Sequence, residues 1–513
     1  MQLSKKILPY FKGAINSVPA EAIFKLPEKA LQFGTGVLLR GLPDYFIDKA
    51  NKQGLFNGRI VMVKSTDSGD TDAYDSQDGL YTQCVRGIYN NSVVEEYIIN
   101  ASISRVFSAR SQWSEVLACA ANPDLVIIIS NTTEVGIALV ENDNIQANPP
   151  ESFPGKLLAF LYQRYKAFDG DKNRGLVIIP TELITDNGNK LQSIVTELAY
   201  LNKFENAFIE WLNNDNYFCN SLVDRIVPGK LPATEQKTAE EKLGYTDELM
   251  IMSEVYRLWA IESSDQKVKN VLSFAHADAG VVITPDINKH RELKLRLLNG
   301  THTLSCGLAH LAGFETVKQA MENKSLEQYV CNLMMQEIAP CVINKDVTAA
   351  EVHEFANNVI ERFRNPFLDH KWLNITLNYT QKIKMRNVPL LLKHYQQNLN
   401  VPGYMALGFA AYLLFMKCEQ DEGGKYFGIA NESDYTLQDN QAGYYNQLWK
   451  NNSPAEVVKK SLANDALWGT DLSSLPGFAL AVEHYLNSII HRGVSETIKD
   501  FEKDHHKAES HEA

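Results

Sequence analysis

Cysteine is sparse in this 513-residue sequence and never paired: Cys84, Cys119, Cys219, Cys306, Cys331, Cys341 and Cys418 stand far apart, with no CxxC among them. An odd count at low density argues against a disulfide framework or a structural zinc site, and points to reduced thiols in the cytoplasm. His353-Glu354 opens an HExxH pattern, but Asn357 stands where the second ligand would be, and no metal is expected. Long apolar runs are missing as well. The longest, residues 406–416, is far short of the roughly 20 residues needed to cross a bilayer. The stretch behind Lys5 and Lys6 is broken by Pro9 and Lys12, so neither a signal peptide nor a membrane partner is expected. There is no GxxxxGK loop and no GxSxG elbow, which argues against nucleoside triphosphatase and serine hydrolase chemistry. Basic excess is lacking too: 50 Lys and Arg face 62 Asp and Glu, for a net charge of −12. A nucleic-acid partner would require a basic face. In so acidic a chain, a local group of cations in a cleft gains weight as an anion site.

What is present begins with strands alternating with helices. Apolar runs ending at Phe33, at Lys64 (RIVMVK), at Ser130 (LVIIIS) and at Pro180 (GLVIIP) read as strands, with helical periodicity between them, as over residues 111–121 and 154–168. Such alternation implies a parallel sheet. Beyond Asp286 the texture changes to long helical patterns, over residues 291–311, 326–338, 349–362, 405–417 and 475–491. The expected fold is therefore α/β plus all-α: a Rossmann-like domain over residues 1–285, a helical substrate and catalytic domain over 286–502, and a frayed charged tail over 503–513. His505, His506 and His511 fit that solvated tail better than a metal site. The oligomeric state is left open, a monomer included.

Two places carry chemistry. Phe33-Gly34-Thr35-Gly36 lies between the first strand and a helix, where a dinucleotide pyrophosphate is approached by backbone, and Arg40 follows. Leu39 occupies the place of the third glycine of GxGxxG, so the motif alone also fits an ordinary turn. Asp67, beyond the second strand, suits an adenosine ribose and NAD, although Lys64 could tolerate a 2′-phosphate. Asn131, Thr132 and Glu134 follow the third strand, at the sheet edge where open α/β sheets bind ligands. Asn187-Gly188 follows the fourth strand, as a site element or simply as a turn. The second place is ELKLRLLNGTHTLSCGLAHLAG from Glu292. In an α-helix, Asn299 lies about 140° around from Lys294, and His302 about 80°. A desolvated lysine can move the hydroxyl proton in alcohol oxidation, an amide N–H can hold the developing alkoxide, and an imidazole can orient a neighbouring hydroxyl. A helix with a solvated lysine and a satisfied histidine fits the same spacing.

Together these segments resemble the long-chain mannitol dehydrogenase family. QFGTGVLLR, SQDGLYT, SNTTEVGI, ELITDNG, FCNSLVDRIVP, KLRLLNGTHT and RFRNPFLDH carry the resemblance, from about Leu31 to about Val494. It implies NAD as cofactor, Lys294 as a metal-independent acid/base, and Asn187 with Asn299 polarising the oxygen. The compact ELITDNG, with FCNSLVDRIVP and RFRNPF, is similar to members acting on D-tagaturonate. The implied reaction is its reduction by NADH to D-altronate in hexuronate catabolism. Fructuronate or polyol substrates, and a non-catalytic NAD- or sugar-acid-binding regulator, remain alternatives. Asp186 beside Asn187 and the unusual Lys64 depart from the family pattern. A sugar acid brings one negative charge that is costly to bury unpaired. Arg362, Arg364, His370, Lys382, Lys384 and Arg386 are the cations at hand; Arg364 and Lys382, with His370, are the expected partners of that charge.

Overall fold

The computed structural model describes residues 1–11, 15–65, 71–132, 135–398 and 400–512, with side chains through residue 503. The chain forms two compact units, Met1–His290 and Arg291–Ala513; the boundary expected near Pro285 falls after His290.

The first unit contains twelve strands among the described residues: β1 (Glu28–Phe33), β2 (Arg59–Lys64), β3 (Tyr81–Tyr89), β4 (Ser92–Asn100), β5 (Ile103–Ser108), β6 (Ile127–Ser130), β7 (Val177–Pro180), β8 (Tyr217–Phe218), β9 (Ser221–Asp224), β10 (Ile251–Glu254), β11 (Leu258–Glu262) and β12 (Val281–Thr284). Six form one parallel sheet in the order β5-β2-β1-β6-β7-β8. Both faces are covered, which explains why its strands read as unbroken apolar runs. Leu31, Phe33, Val61, Val63, Ile128 and Ile178 pack on one face against Leu157, Phe160, Leu191 and Leu198. Ala30, Ile60, Ile127, Ile129 and Ile179 pack on the other against Phe46, Ile47, Trp259 and Phe274. The chain runs outward from β1 to β5, then returns to β6 beside β1. This places a reversal of strand order at the carboxyl ends of β1 and β6.

The sequence pattern pointed to β1, β2, β6 and β7; the other eight strands of this unit went unread. β5 alternates apolar with Ser and Arg because it is an edge strand and only partly buried. β3 and β4 form a hairpin closed by Asn90 and Asn91, both at positive φ (49° and 59°), the conformation a two-residue hairpin turn demands.

In the second unit, two expected helices prove composite. Asn288–Leu293 passes into a π-helical segment, Lys294–Gly300, before Thr301–Leu311 resumes α geometry, and Lys324–Asn332 passes into a second π segment, Leu333–Ile338. The two π segments pack on each other. A small antiparallel sheet, β13 (Glu419–Gln420), β14 (Tyr426–Ala430) and β15 (Ser433–Leu437), interrupts the helices. The last helix is Val494–Glu512; its Glu, Lys and Ala content favours helix. No helix among the described residues is long and apolar enough to cross a membrane.

The centre of this unit is the helix Gly403–Phe415, apolar all round and buried on nearly every residue. It packs against Thr301–Leu311 and Phe478–Arg492. Gly408 permits the first contact, because a Cβ there would lie 2.9 Å from the Leu304 carbonyl oxygen. Such a helix buries its leading N–H groups, and Glu337 satisfies them: Tyr404 N donates to Oε1 (2.9 Å) and Met405 N to Oε2 (2.7 Å). Burial pushes this carboxyl up to about 8, against the backbone donors that pull it down. The folded state therefore binds a proton that the unfolded chain releases near pH 4.5, and Glu337's contribution to stability falls as pH rises from about 4.5 to 8. Glu337→Gln should lower stability by roughly 1–3 kcal/mol, as one N–H loses its acceptor. It should also flatten the decline between pH 5 and 8. Thermal midpoints of both proteins across that range check this; parallel curves would count against a titrating Glu337.

Candidate active site

At the reversal of strand order, Gly34 N donates to Val63 O (2.9 Å) and Asn131 N donates to Phe33 O (3.1 Å), stitching the ends of β2, β1 and β6. Gly34 has φ +126°, and a Cβ there would stand 2.8 Å from the Asn131 oxygen and 2.8 Å from Leu39 Cδ1. No other residue fits. Gly36 faces open space. Phe33 contributes backbone only, since its ring is buried against Phe153. The Thr35 carbonyl accepts from Tyr74 Oη (3.5 Å).

Arg40, expected beside a pyrophosphate, is turned inward: it is buried, lies over the Tyr74 and Tyr81 rings, and donates from Nη1 to Leu249 O (2.7 Å). The helix behind the turn, Val37–Gly41, breaks at Leu42 after five residues, so little helix dipole aims at the turn. Lys64 closes β2 and is buried. Asp67 and Glu134 lie outside the described residues.

The carboxyl edge next to β6 is held by a residue the sequence reading passed over. Glu182, buried, accepts from Ser130 Oγ (3.1 Å), Thr132 N (2.9 Å) and Thr132 Oγ1 (3.1 Å). Asn131 Nδ2 donates to the Thr181 carbonyl (3.1 Å) and to Thr181 Oγ1 (2.9 Å). Asn187 is enclosed by the same edge. Its Nδ2 donates to the carbonyls of Pro180, Glu182 and Ser221 (3.0, 3.0 and 3.1 Å), and its Oδ1 accepts from Gly188 N and Ser221 N (both 2.9 Å). With 1% exposure and these partners, Asn187 locks the loop. The FCNSLVDRIVP segment supplies the other half of that lock through Ser221, and Asn220 Oδ1 accepts from Asn189 N (3.0 Å).

In the second unit, Lys294 and Asn299 bound most of the π segment. A turn bonded five residues back brings residue i+5 over residue i, so these side chains share a face more closely than α geometry predicts. The loosened turn is tied at each loose point. Thr303 Oγ1 donates to Asn299 O (2.8 Å), and Asn387 Nδ2 donates to Gly300 O (3.0 Å). Arg296 Nη1 donates to the Met385 and Arg386 carbonyls (2.7 and 2.9 Å) at the end of the helix Tyr379–Arg386.

His302, one turn on, is buried and stacks face to face on Phe363 at 4.1 Å; the His370 ring stands edge-on at 5.2 Å and Trp372 at 5.9 Å. Its Nε2 is buried without a hydrogen-bond partner, as are Thr301 Oγ1, Ser305 Oγ and Trp372 Nε1. Burial holds His302 well below the usual histidine range, reinforced by His370, Arg362, Arg386 and Lys382. It is a neutral imidazole among cations. His370 is lowered by burial, Arg362 and Lys382, and Lys382 by burial and Arg386. Of the six cations noted in the sequence, four thus converge on His302. Arg364 does not: its Nε is paired with Glu327 Oε1 at 2.7 Å. Lys384 reaches the Ala466 carbonyl instead (3.4 Å). Among the described residues no three His, Cys, Asp or Glu side chains are grouped to hold a metal ion.

Comparison with known proteins accords with this arrangement. Residues 28–272 match the mannitol dehydrogenase Rossmann domain and residues 286–490 the mannitol dehydrogenase C-terminal domain. An altronate oxidoreductase of Bacillus subtilis (strain 168) is 37% identical over 480 residues, covering 93% of this chain and 95% of that protein. One of Halalkalibacterium halodurans is 36% identical over 482 residues, covering 92% and 93%. Among solved structures, a substrate-free D-sorbitol dehydrogenase shares the fold at TM-score 0.79 and 20% identity, covering 97% of this chain and all (100%) of that one. The Pseudomonas fluorescens mannitol 2-dehydrogenase in complex with NAD and D-mannitol does so at 0.67 and 22%, covering 98% and 100%. With both family domains matched in sequence and full-length relatives above one-third identity, the chain belongs to the mannitol dehydrogenase family of oxidoreductases.

Proposed function

We propose that this protein catalyses the reversible, NAD-dependent reduction of D-tagaturonate to D-altronate, with Lys294 as proton donor and acceptor. The observation that carries the reading is the π turn that brings Lys294 and Asn299 onto one face, beside a neutral His302. The altronate oxidoreductases named above supply the substrate. A cytoplasmic setting belongs to the same reading, supported by seven unpaired thiols.

The residues around Gly34 fit a dinucleotide on a steric test. A side chain at Gly34 would strike the Asn131 carbonyl, while the space before Gly36 is open, the arrangement needed where backbone approaches a pyrophosphate. NADH supplies the hydride. As the ketone is reduced, negative charge grows on its oxygen. The Asn299 amide N–H holds that charge and the Lys294 ammonium gives it a proton; oxidation of the alcohol runs the same transfer backwards. The unpartnered Nε2 of His302 takes a neighbouring hydroxyl. Phe363 and Trp372 keep the imidazole out of water, which keeps it neutral and its orientation fixed. Asp67 is assigned to the adenosine ribose, which favours NAD over NADP.

The purified protein should consume NADH with tagaturonate far faster than with fructuronate or fructose. Comparable turnover of fructose would replace this reading with a polyol dehydrogenase. Lys294→Ala should lower kcat on the order of 10²-fold or more, the range for a lost general acid, while NADH affinity measured by fluorescence stays nearly unchanged. Equal loss of both would make Lys294 structural. NADH should bind more tightly than NADPH, and Asp67→Ala should narrow the difference. A wild-type preference for NADPH would overturn the assignment and point to the Lys64 side of the site.

A further inference from the structure

We propose that Arg386 reads the carboxylate of the substrate and sets the choice between a sugar acid and an uncharged ketose. This rests on the reading above.

The argument starts from how buried guanidiniums are satisfied in this protein. An arginine carries five N–H donors and cannot shed its charge. Arg164 is buried without an acid partner, and Nε, Nη1 and Nη2 all donate to backbone carbonyls, of Arg174, Ala120, Asn122 and Leu125. Arg225 is the same, with Nε and Nη2 on Glu254 O and Nη1 on Gly41 O. Arg386 differs from these two. It is largely desolvated, enough to lower its pKa, yet one bond holds it, from Nη1 to Thr303 Oγ1 at 3.0 Å. Among the described residues no carboxylate lies within ion-pair distance, and none of its remaining nitrogens is sealed in the core. Nε and Nη2 present the fork that matches a carboxylate in a bidentate pair.

Position agrees with this. Thr303 Oγ1 donates in turn to the carbonyl of Asn299, so the guanidinium stands two hydrogen bonds from the reacting turn. The Arg386 carbonyl is held by Arg296, and Asn387 next to it holds Gly300 O. Lys382 lies one helical turn before Arg386. Its Nζ donates to Ile375 O (2.7 Å), again with no carboxylate among the described residues. Like charges at i, i+4 repel, and a bound anion between them would relieve that repulsion. The other cations are accounted for: Arg364 is paired with Glu327, Lys384 reaches Ala466, burial keeps His370 neutral, and Arg362 has a partner of its own.

The test compares wild type, Arg386→Met, Arg386→Lys and, as a control at the paired cation, Arg364→Met. Kinetics with tagaturonate and with fructose are measured beside NADH affinity and thermal midpoint. Arg386→Met should raise KM for tagaturonate on the order of 10²-fold, the scale of lost charge-assisted hydrogen bonds. Its kcat should fall far less, NADH affinity should hold, and fructose use should barely change. Arg386→Lys should fall between, because it keeps the charge and loses the fork; if the Met variant does not fold, the Lys variant and an Arg386→Gln variant carry the same comparison. Equal losses on both substrates, or an unchanged KM for tagaturonate, overturn the proposal. If the wild type reduces no keto sugar acid, the functional reading fails by itself. Calorimetry of D-altronate binding to the NAD-loaded protein then decides the anion site, which an Arg386→Met variant with wild-type affinity would overturn.

Discussion

A helical turn closed five residues back widens the helix and weakens its packing, and it persists where neighbours capture the carbonyls it misaligns. The segment Lys294–Gly300 is such a turn, and much of the second unit is arranged to hold it. Thr303 and Asn387 each hold a carbonyl of the widened turn, while Arg296 reaches from the turn to two carbonyls of the helix Tyr379–Arg386. Behind it lies a second π segment, Leu333–Ile338, whose Glu337 seals the start of the central helix Gly403–Phe415. The polar face is therefore fixed to the core by hydrogen bonds on three sides, which is what side chains that meet a substrate in one geometry require.

The electrostatics follow the same division. The acid in the core of this unit, Glu337, is buried and neutralised by protonation rather than by a cation. The cations Arg386 and Lys382 are left without acids among the described residues, and His302, which both act on, is kept neutral. A net charge of −12 offers the chain many carboxylates with which to pair them, yet it pairs Arg364 and leaves these two. Leaving two cations uncompensated in a partly dry place destabilises the empty protein. It also means that an anion entering there displaces little water-bound counter-charge and meets donors already oriented.

Much of the fold was legible because burial on both faces of a sheet writes itself as unbroken runs: RIVMVK became β2 without change, and LVIIIS and GLVIIP became β6 and β7 with two residues trimmed from each. β5 was not legible, since an edge strand needs no such run, and neither was the hairpin of β3 and β4, whose Asn-Asn turn is a weaker signal than Asn-Gly. At the site, the spacing of Lys294, Asn299 and His302 was visible, but the π turn that aligns the first two was not, because it arises from partners some ninety residues away in the chain. The partners of Asn187 and Arg364 were not legible either, because Ser221 and Glu327 lie far from them in sequence. Glu182 escaped because nothing local distinguishes it from an ordinary surface charge, and Arg386, one of the six cations noted, had nothing local to single it out.

The departure from GxGxxG at Leu39 has a structural account. The third glycine of that motif lets a long helix pack closely on the first strand. Here the helix stops at Gly41, the chain breaks at Leu42, and a new helix starts with Pro43 and runs to Lys52. Close packing passes to that second helix, which sets Phe46, Ile47 and Ala50 on the sheet. Freed from the contact, position 39 can carry a large side chain, and Leu39 is fully buried with its Cδ1 directly beneath Gly34. The leucine thus adds a second obstacle, beside the Asn131 carbonyl, to a Cβ at Gly34, and its presence makes the first glycine more strictly required. Arg40, whose neighbour now anchors the turn, is released from the ligand side and becomes the bolt between this turn and Leu249. One helix break thereby explains three features at once: the missing glycine, the inward arginine and the short dipole behind the turn.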